Sequence, residues 1–201
     1  MSEMKNNDLI KKATHAVVTG NSLIPIHDEI MRNELERREL RITGPIDSEA
    51  AHLMQVKLAY LKNQSKKPVT IYLNTPGGHV IDGLAIYDSI MDLREDGIKV
   101  NIIASGSCMS MGVIIMQAAS ERCSLKHAQF LLHELHMVTG GSFTELGDRH
   151  KEAKRMQEVL NGILLGRSGL TGVKLKELTE RRDTYLTAVD AKKYHIIDRI
   201  I

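Results

Sequence analysis

Residues 69–119 read VTIYLNTPGGHVIDGLAIYDSIMDLREDGIKVNIIASGSCMSMGVIIMQAA. A β-type run over 69–73 ends in Asn74-Thr75-Pro76-Gly77-Gly78, and Ile81, Leu84, Ala85, Tyr87 and Met91 then recur at helix-like steps to Leu93, before a stop near Gly97. The run over 100–104 repeats the pattern: it leads into Ser-Gly-Ser-Cys-Met-Ser-Met-Gly, residues 105–112, and then into an apolar helix over 113–119. Two strand–turn–helix units in succession predict an α/β fold, with both strands ending in glycine-rich turns.

The same alternation continues outward. A strand is expected over 40–43, and Pro45-Ile46-Asp47-Ser48 introduces a helix carrying Ala51, Leu53, Met54, Val56, Leu58 and Leu61, with Asp47 or Ser48 as N-cap. Residues 124–135 read as one or two further strands. A long amphipathic helix follows over 144–165, with Met156, Val159, Leu160, Ile163 and Leu164 on its apolar side. Thr187 and Asp190 have capping-box spacing for a short helix before a last strand over 196–201. The first 39 residues form a polar N-terminal segment. No repeat and no linker composition breaks the 201 residues, which predicts a single domain over 1–201.

Composition narrows the function classes. A formal net charge of +2 marks neither a nucleic-acid binder nor a membrane-surface protein. Two cysteines, Cys108 and Cys123, in a chain able to bury a core point to a reducing compartment, with cytoplasm as the default. The start MSEMKNNDLIKK lacks a signal peptide's apolar core, and no apolar run approaches the roughly 20 residues that span a bilayer. A soluble protein is expected.

In open α/β sheets the chemistry lies beyond the carboxyl ends of the strands, which directs attention to Gly77-Gly78 and to residues 106–112. Ser110 falls at the start of a helix, where unpaired backbone N–H groups favour an anion. The tandem glycines let backbone N–H groups approach a substrate carbonyl closely. Taken alone, a serine beside a glycine is more often a cap or turn residue. Cys108 is a rival nucleophile of lower standing, since cysteine is most often a small buried hydrophobe. His133, Glu134 and His136 lack HExxH spacing, and on a strand residues three apart face opposite ways, which argues against a metal site.

Four runs together resemble the ClpP peptidases: IYLNTPGGHVIDGLAIYD, CMSMG, FLLHE and RRDTYLTAVDAKKYHIID. The resemblance begins near Leu40 and extends to the C-terminus. It implies a ClpP/crotonase-like fold of stacked ββα units with a protruding strand–helix handle. It also implies a serine endopeptidase with Ser110 as nucleophile, His133 as general base and Asp183 orienting the base. Gly78 and Met111 match the backbone donors of the oxyanion hole. His136 is the alternative base, and Glu177 or Glu180 are alternatives to Asp183. Such chemistry needs neither a metal nor an organic cofactor. The implied partners are copies of the chain itself, in a tetradecamer of two heptameric rings, an AAA+ Clp ATPase, and unfolded polypeptide substrates. A phage-type prohead or processing protease and a non-catalytic ring subunit are the competing roles.

The chain departs from the family's pattern at several places. His79 and Asp82 stand where small or apolar residues are usual, Glu134-Leu135 replaces Gln-Pro after the base, and Met137-Val138 replaces a glycine pair. Arg181-Arg182 replaces an acidic-Arg pair that serves ring–ring contact in the family. At the ATPase docking position Tyr72 matches an aromatic, whereas Thr70 replaces another.

Overall fold

The computed structural model describes residues 16–19 and 22–201. The chain divides into two compact units, one ending at Leu40 and the other spanning Arg41–Ile201. In the first, strands β1 (Ala16–Thr19) and β2 (Ser22–Pro25) pair antiparallel and helix α1 (Ile26–Arg37) follows. None of these elements was expected from the sequence. The two strands are four residues each, and the burial of α1 does not follow its apolar residues: its Ile30 is exposed whereas Glu34 is buried.

The second unit is built on a seven-stranded sheet. Its main path is β3 (Glu39–Thr43), β4 (Val69–Thr75), β5 (Val100–Met109), β6 (Glu121–Ser124) and β9 (Arg199–Ile200), with β7 (Gln129–Leu132) pairing β5 and β8 (Thr184–Thr187) pairing β7. The β4–β5, β5–β6, β5–β7 and β6–β9 pairs are parallel and β7–β8 is antiparallel. Alternation along β4 and β5 buries Val69, Ile71 and Leu73 beside Val100, Ile102 and Ala104, each fully. Residues on one face of neighbouring strands meet in this way because side chains alternate with period 2.

Helix α2 (Ser48–Gln64) is capped by Asp47, whose carboxylate accepts from the Ala50 N–H at 2.9 Å. Helix α3 (Val80–Glu95) and the wholly buried α4 (Met111–Met116) complete the two strand–turn–helix units. The second differs from expectation. β5 does not end at Ala104 but runs on through a bulge to Met109, its first half pairing β6 and its second half β7. Across the bulge, where the register with β4 jumps from Leu73↔Ala104 to Thr75↔Cys108, the Asn74 Oδ1 accepts from the Ser107 N–H and hydroxyl at 2.9 and 3.0 Å. Gly106 sits there with φ +75, and a Cβ at this position would come within 2.7 Å of Asn74 Oδ1.

Helix α5 (Phe143–Arg167) opens with a capping box between Ser142 and Glu145 and buries only Leu164. Its far end is anchored. The buried Arg122 guanidinium is bonded to Asp198 and donates to Gln117 Oε1 at 2.7 Å and to the Arg167 carbonyl at 2.6 Å. Helices α6 (Gly172–Thr179) and α7 (Ala188–Lys193) follow, the latter with the predicted Thr187–Asp190 capping box. No helix among the described residues is long and apolar enough to cross a membrane.

Candidate active site

The end of β5 presents Ser110. Met109 pairs with Leu131, and the Ser110 N–H donates to the Leu131 carbonyl at 3.0 Å, so the turn is tied to β7. Ser110 has φ +52 and ψ −118, a conformation that costs a non-glycine residue of order 1–3 kcal/mol and persists only where its surroundings enforce it. α4 starts at the next residue, so the chain turns sharply from strand to helix at the half-buried Ser110. An ordinary N-cap serine accepts a bond from the helix with its hydroxyl. Ser110 makes no such bond. Cys108, two residues earlier, is fully buried, and burial pushes its thiol far above the ordinary range, so no thiolate forms there.

The glycine pair encloses this turn. A Cβ on Gly77 would lie 2.7 Å from Ser110 Cβ and 3.1 Å from the Met111 nitrogen. Only a residue without a side chain permits that approach. Ile46 holds the pair from the other side: its N–H donates to the Gly77 carbonyl at 2.9 Å, and its carbonyl accepts from the His79 N–H at 2.8 Å. In this parallel bridge between Ile46 and Gly78, the N–H of Gly78 itself is turned away from Ile46. The Met111 N–H, at the first position of α4, has no acceptor within its own helix. Gly78, Ser110, Met111 and His133 line one cavity of about 150 Å³.

β7 and β8 end their pairing with Leu132 opposite Thr184, and His133 and Asp183 are the residues that flank this last pair. His133 is half-buried and Asp183 exposed. A side-chain nitrogen of His133 and a carboxylate oxygen of Asp183 lie within 4.8 Å, and so does a ring nitrogen of His136. His133 Nδ1 is buried and has no hydrogen-bond partner. The alternatives to Asp183 are engaged elsewhere, Glu177 by Lys174 at 2.9 Å and Glu180 by Lys176 at 3.6 Å.

Two features escaped the sequence. β7 ends at Leu132, so the strand geometry that set His133 and His136 on opposite faces does not apply. Their rings are 4.6 Å apart, tilted by 58°. Gln157 on α5 accepts from the Leu135 N–H at 2.6 Å and so pins the segment that carries both histidines. Only a contact between distant parts of the chain reveals it. His79 and Asp82, which distinguish the mouth of the glycine turn, are hydrogen-bonded to each other at 3.0 Å.

A family model for Clp protease matches residues 25–201 and thus takes in α1 and everything after it, starting ahead of Leu40. The mainly parallel sheet, the glycine turn beneath a strand-to-helix serine and the extent of this match agree: the chain belongs to the Clp protease family and has the fold of a ClpP-like peptidase.

Proposed function

We propose that the chain is a serine endopeptidase, with Ser110 as nucleophile, His133 as general base, Asp183 orienting the base, and the Gly78 and Met111 N–H groups as the oxyanion hole. The observation that carries this reading is that a ring nitrogen of half-buried His133, which follows the strand to which Ser110 is tied, lies within 4.8 Å of a carboxylate oxygen of Asp183. Serine is a weak nucleophile at its own pKa, so His133 takes its proton as Oγ attacks the scissile carbonyl. The two N–H groups stabilise the developing oxyanion, and the imidazolium returns its proton to the leaving amine. Water then repeats the sequence on the acyl-enzyme. Asp183 fixes the tautomer and stabilises the imidazolium. The His133 Nδ1 bond needed for this is the one that closes as the site becomes competent, since such bonds are often long before substrate binds.

The physiological form in this reading is a chamber of two stacked heptameric rings, fed with unfolded polypeptide by an AAA+ Clp ATPase in the cytoplasm. Residues 143–152 of α5 are exposed throughout, including Phe143 at 94%, and a second copy of the chain is the natural cover for that face. The first test combines a fluorophosphonate label with a fluorogenic peptide: wild type reacts at Ser110 and cleaves, and Ser110→Ala does neither. Light scattering after size exclusion tests the chamber, and a monomer or dimer that is fully active at nanomolar concentration rules it out.

A further inference from the structure

We infer that His133, His136 and Asp183 form a site for a divalent transition-metal ion of the Zn²⁺ kind, and that binding there shuts off the peptidase. The inhibitory part rests on the triad proposed above, whereas the binding part rests on geometry alone. One ligand atom from each residue lies within 4.8 Å of the other two, so some point is no farther than about 2.8 Å from all three, against the ~2.0–2.2 Å of Zn–N and Zn–O bonds. Side-chain shifts below about 1 Å close that gap. Two imidazoles and a carboxylate are an established donor set for Zn²⁺, which leaves a fourth position for water.

Three observations favour occupation by a metal over a chance gathering of polar groups. His133 Nδ1 is buried without any partner, a state that a hydrogen-bond partner or a metal relieves. The 4.6 Å between the imidazole centroids brings the second ring into the cluster, although the serine mechanism gives His136 no role. The segment between them is also held in place, by Leu135 N–H bonding to Gln157 Oε1 at 2.6 Å, so the two imidazoles do not have to be gathered from a free loop. A preformed arrangement lowers the ordering cost of coordination.

The consequence follows from electron pairs. A base must offer a ring-nitrogen lone pair to the Ser110 proton, and its other ring nitrogen must face Asp183. A metal that takes a His133 nitrogen and the Asp183 carboxylate removes one or both arrangements, with no bond broken and no redox change. Removal of the metal restores them.

The test uses Zn²⁺ alone. Ser110→Ala, which keeps all three ligands and cannot digest itself, is titrated by calorimetry. One equivalent per subunit is expected, with affinity falling at least about tenfold when His136→Ala or His136→Gln is added. His136 is exposed, and circular dichroism verifies that both variants are folded. Equal affinity with and without His136, or no binding, overturns the site. In a parallel assay, each active protein is compared with its own metal-free rate. Zn²⁺ slows wild type reversibly, chelator restores it, and the concentration for half inhibition rises at least tenfold in His136→Ala. Stoichiometric binding that leaves the wild-type rate unchanged overturns the inhibitory role. If wild type cleaves no peptide at all, the peptidase reading fails and the calorimetric result still decides the metal site.

Discussion

The two sides of the candidate site are built differently. Ser110 is enclosed: its N–H is bonded to β7, Gly77 presses against its Cβ, and the residues after it enter a buried helix. His133 and Asp183 instead lie one residue beyond the ends of their strands, with a buried nitrogen unpartnered on one and an exposed carboxylate on the other. The serine side is held complete within the single chain, while the histidine side is tied through the Leu135 and Arg181 N–H groups to Gln157 and Glu134 yet leaves His133 Nδ1 without a partner. In the proposed chamber, packing between rings supplies the remaining adjustment that brings Nδ1 to Asp183. This asymmetry predicts that substitutions on the serine side damage chemistry in any assembly state, and that those on the histidine side depend on assembly.

The largest expected effect breaks the serine side. Ser110→Ala should lower kcat by about 10⁶, as loss of the nucleophile does in serine peptidases, with an unchanged melting temperature because no large buried side chain is removed. Peptide cleavage at the wild-type rate would refute the assignment. His133→Ala should be similarly inactive and His136→Ala far less impaired; the reverse would move the base to His136.

Next comes the orienting carboxylate. Asp183→Asn should lower kcat by roughly 10⁴. A loss under about tenfold, with Glu177→Gln or Glu180→Gln inactive instead, would reassign the third residue despite the lysines that those acids pair with. A further measurement sharpens the comparison. If the proposed rings form, the specific activity of wild type should fall when dilution separates them, whereas fluorophosphonate labelling of Ser110 should fall less.

Gly77→Ala probes the enclosure itself. The new Cβ cannot stay 2.7 Å from Ser110 Cβ and 2.9 Å from the Met109 carbonyl, and φ at this residue is +97, so the turn must shift. Displacing one oxyanion donor costs about 10²–10³ in kcat. A loss of that size with KM nearly unchanged is expected, since the donors act on the transition state more than on bound substrate. A rate within threefold of wild type would show that the serine side is less constrained than its contacts indicate.

Much of this architecture could be read in the residues because its determinants are local. Asp47 and the Thr187–Asp190 box are capping signals within one turn, and the strands before Gly77 and Gly106 announce themselves through apolar runs. The limits of legibility are equally physical. That β5 continues to Met109 depends on Asn74 reaching across to Ser107, a contact between strands. That His133 comes within 4.8 Å of Asp183 depends on the pairing of β7 with β8, about fifty residues apart in sequence, which no local pattern records. The proximity of His133 to His136 depends on where β7 stops, and strand ends are the least determined feature of a pattern. In the N-terminal unit, the strands are short, and the helix buries Glu34 while exposing Ile30, so burial there runs against residue type.

The smallest predicted effect concerns how β8 is anchored. Thr187 ends β8 and caps α7: its hydroxyl accepts from the Asp190 N–H at 3.2 Å, and its N–H and hydroxyl donate to the Asp190 carboxylate at 3.0 and 2.6 Å. Those bonds from the Thr187 side chain and backbone hold the Asp190 carboxyl below the ordinary aspartate range. Thr187→Ala removes the side-chain half of the box, which costs about 1 kcal/mol and lowers the melting temperature by roughly 2–4 °C in a protein of this size. The linkage sign is definite. A carboxyl with a depressed folded-state pKa contributes stability above its unfolded pKa and loses it as pH falls through the folded value. The gap between wild type and Thr187→Ala should therefore be constant at neutral pH and narrow below the ordinary aspartate range. Activity should fall only a few-fold, because β8 remains paired to β7 through Phe130↔Leu186 and Leu132↔Thr184 and so keeps Asp183 near His133. A gap that widens in acid would show that Asp190 is not stabilised by this cap, and a loss of activity as large as that of Asp183→Asn would show that the cap, rather than strand pairing, holds the carboxylate in place.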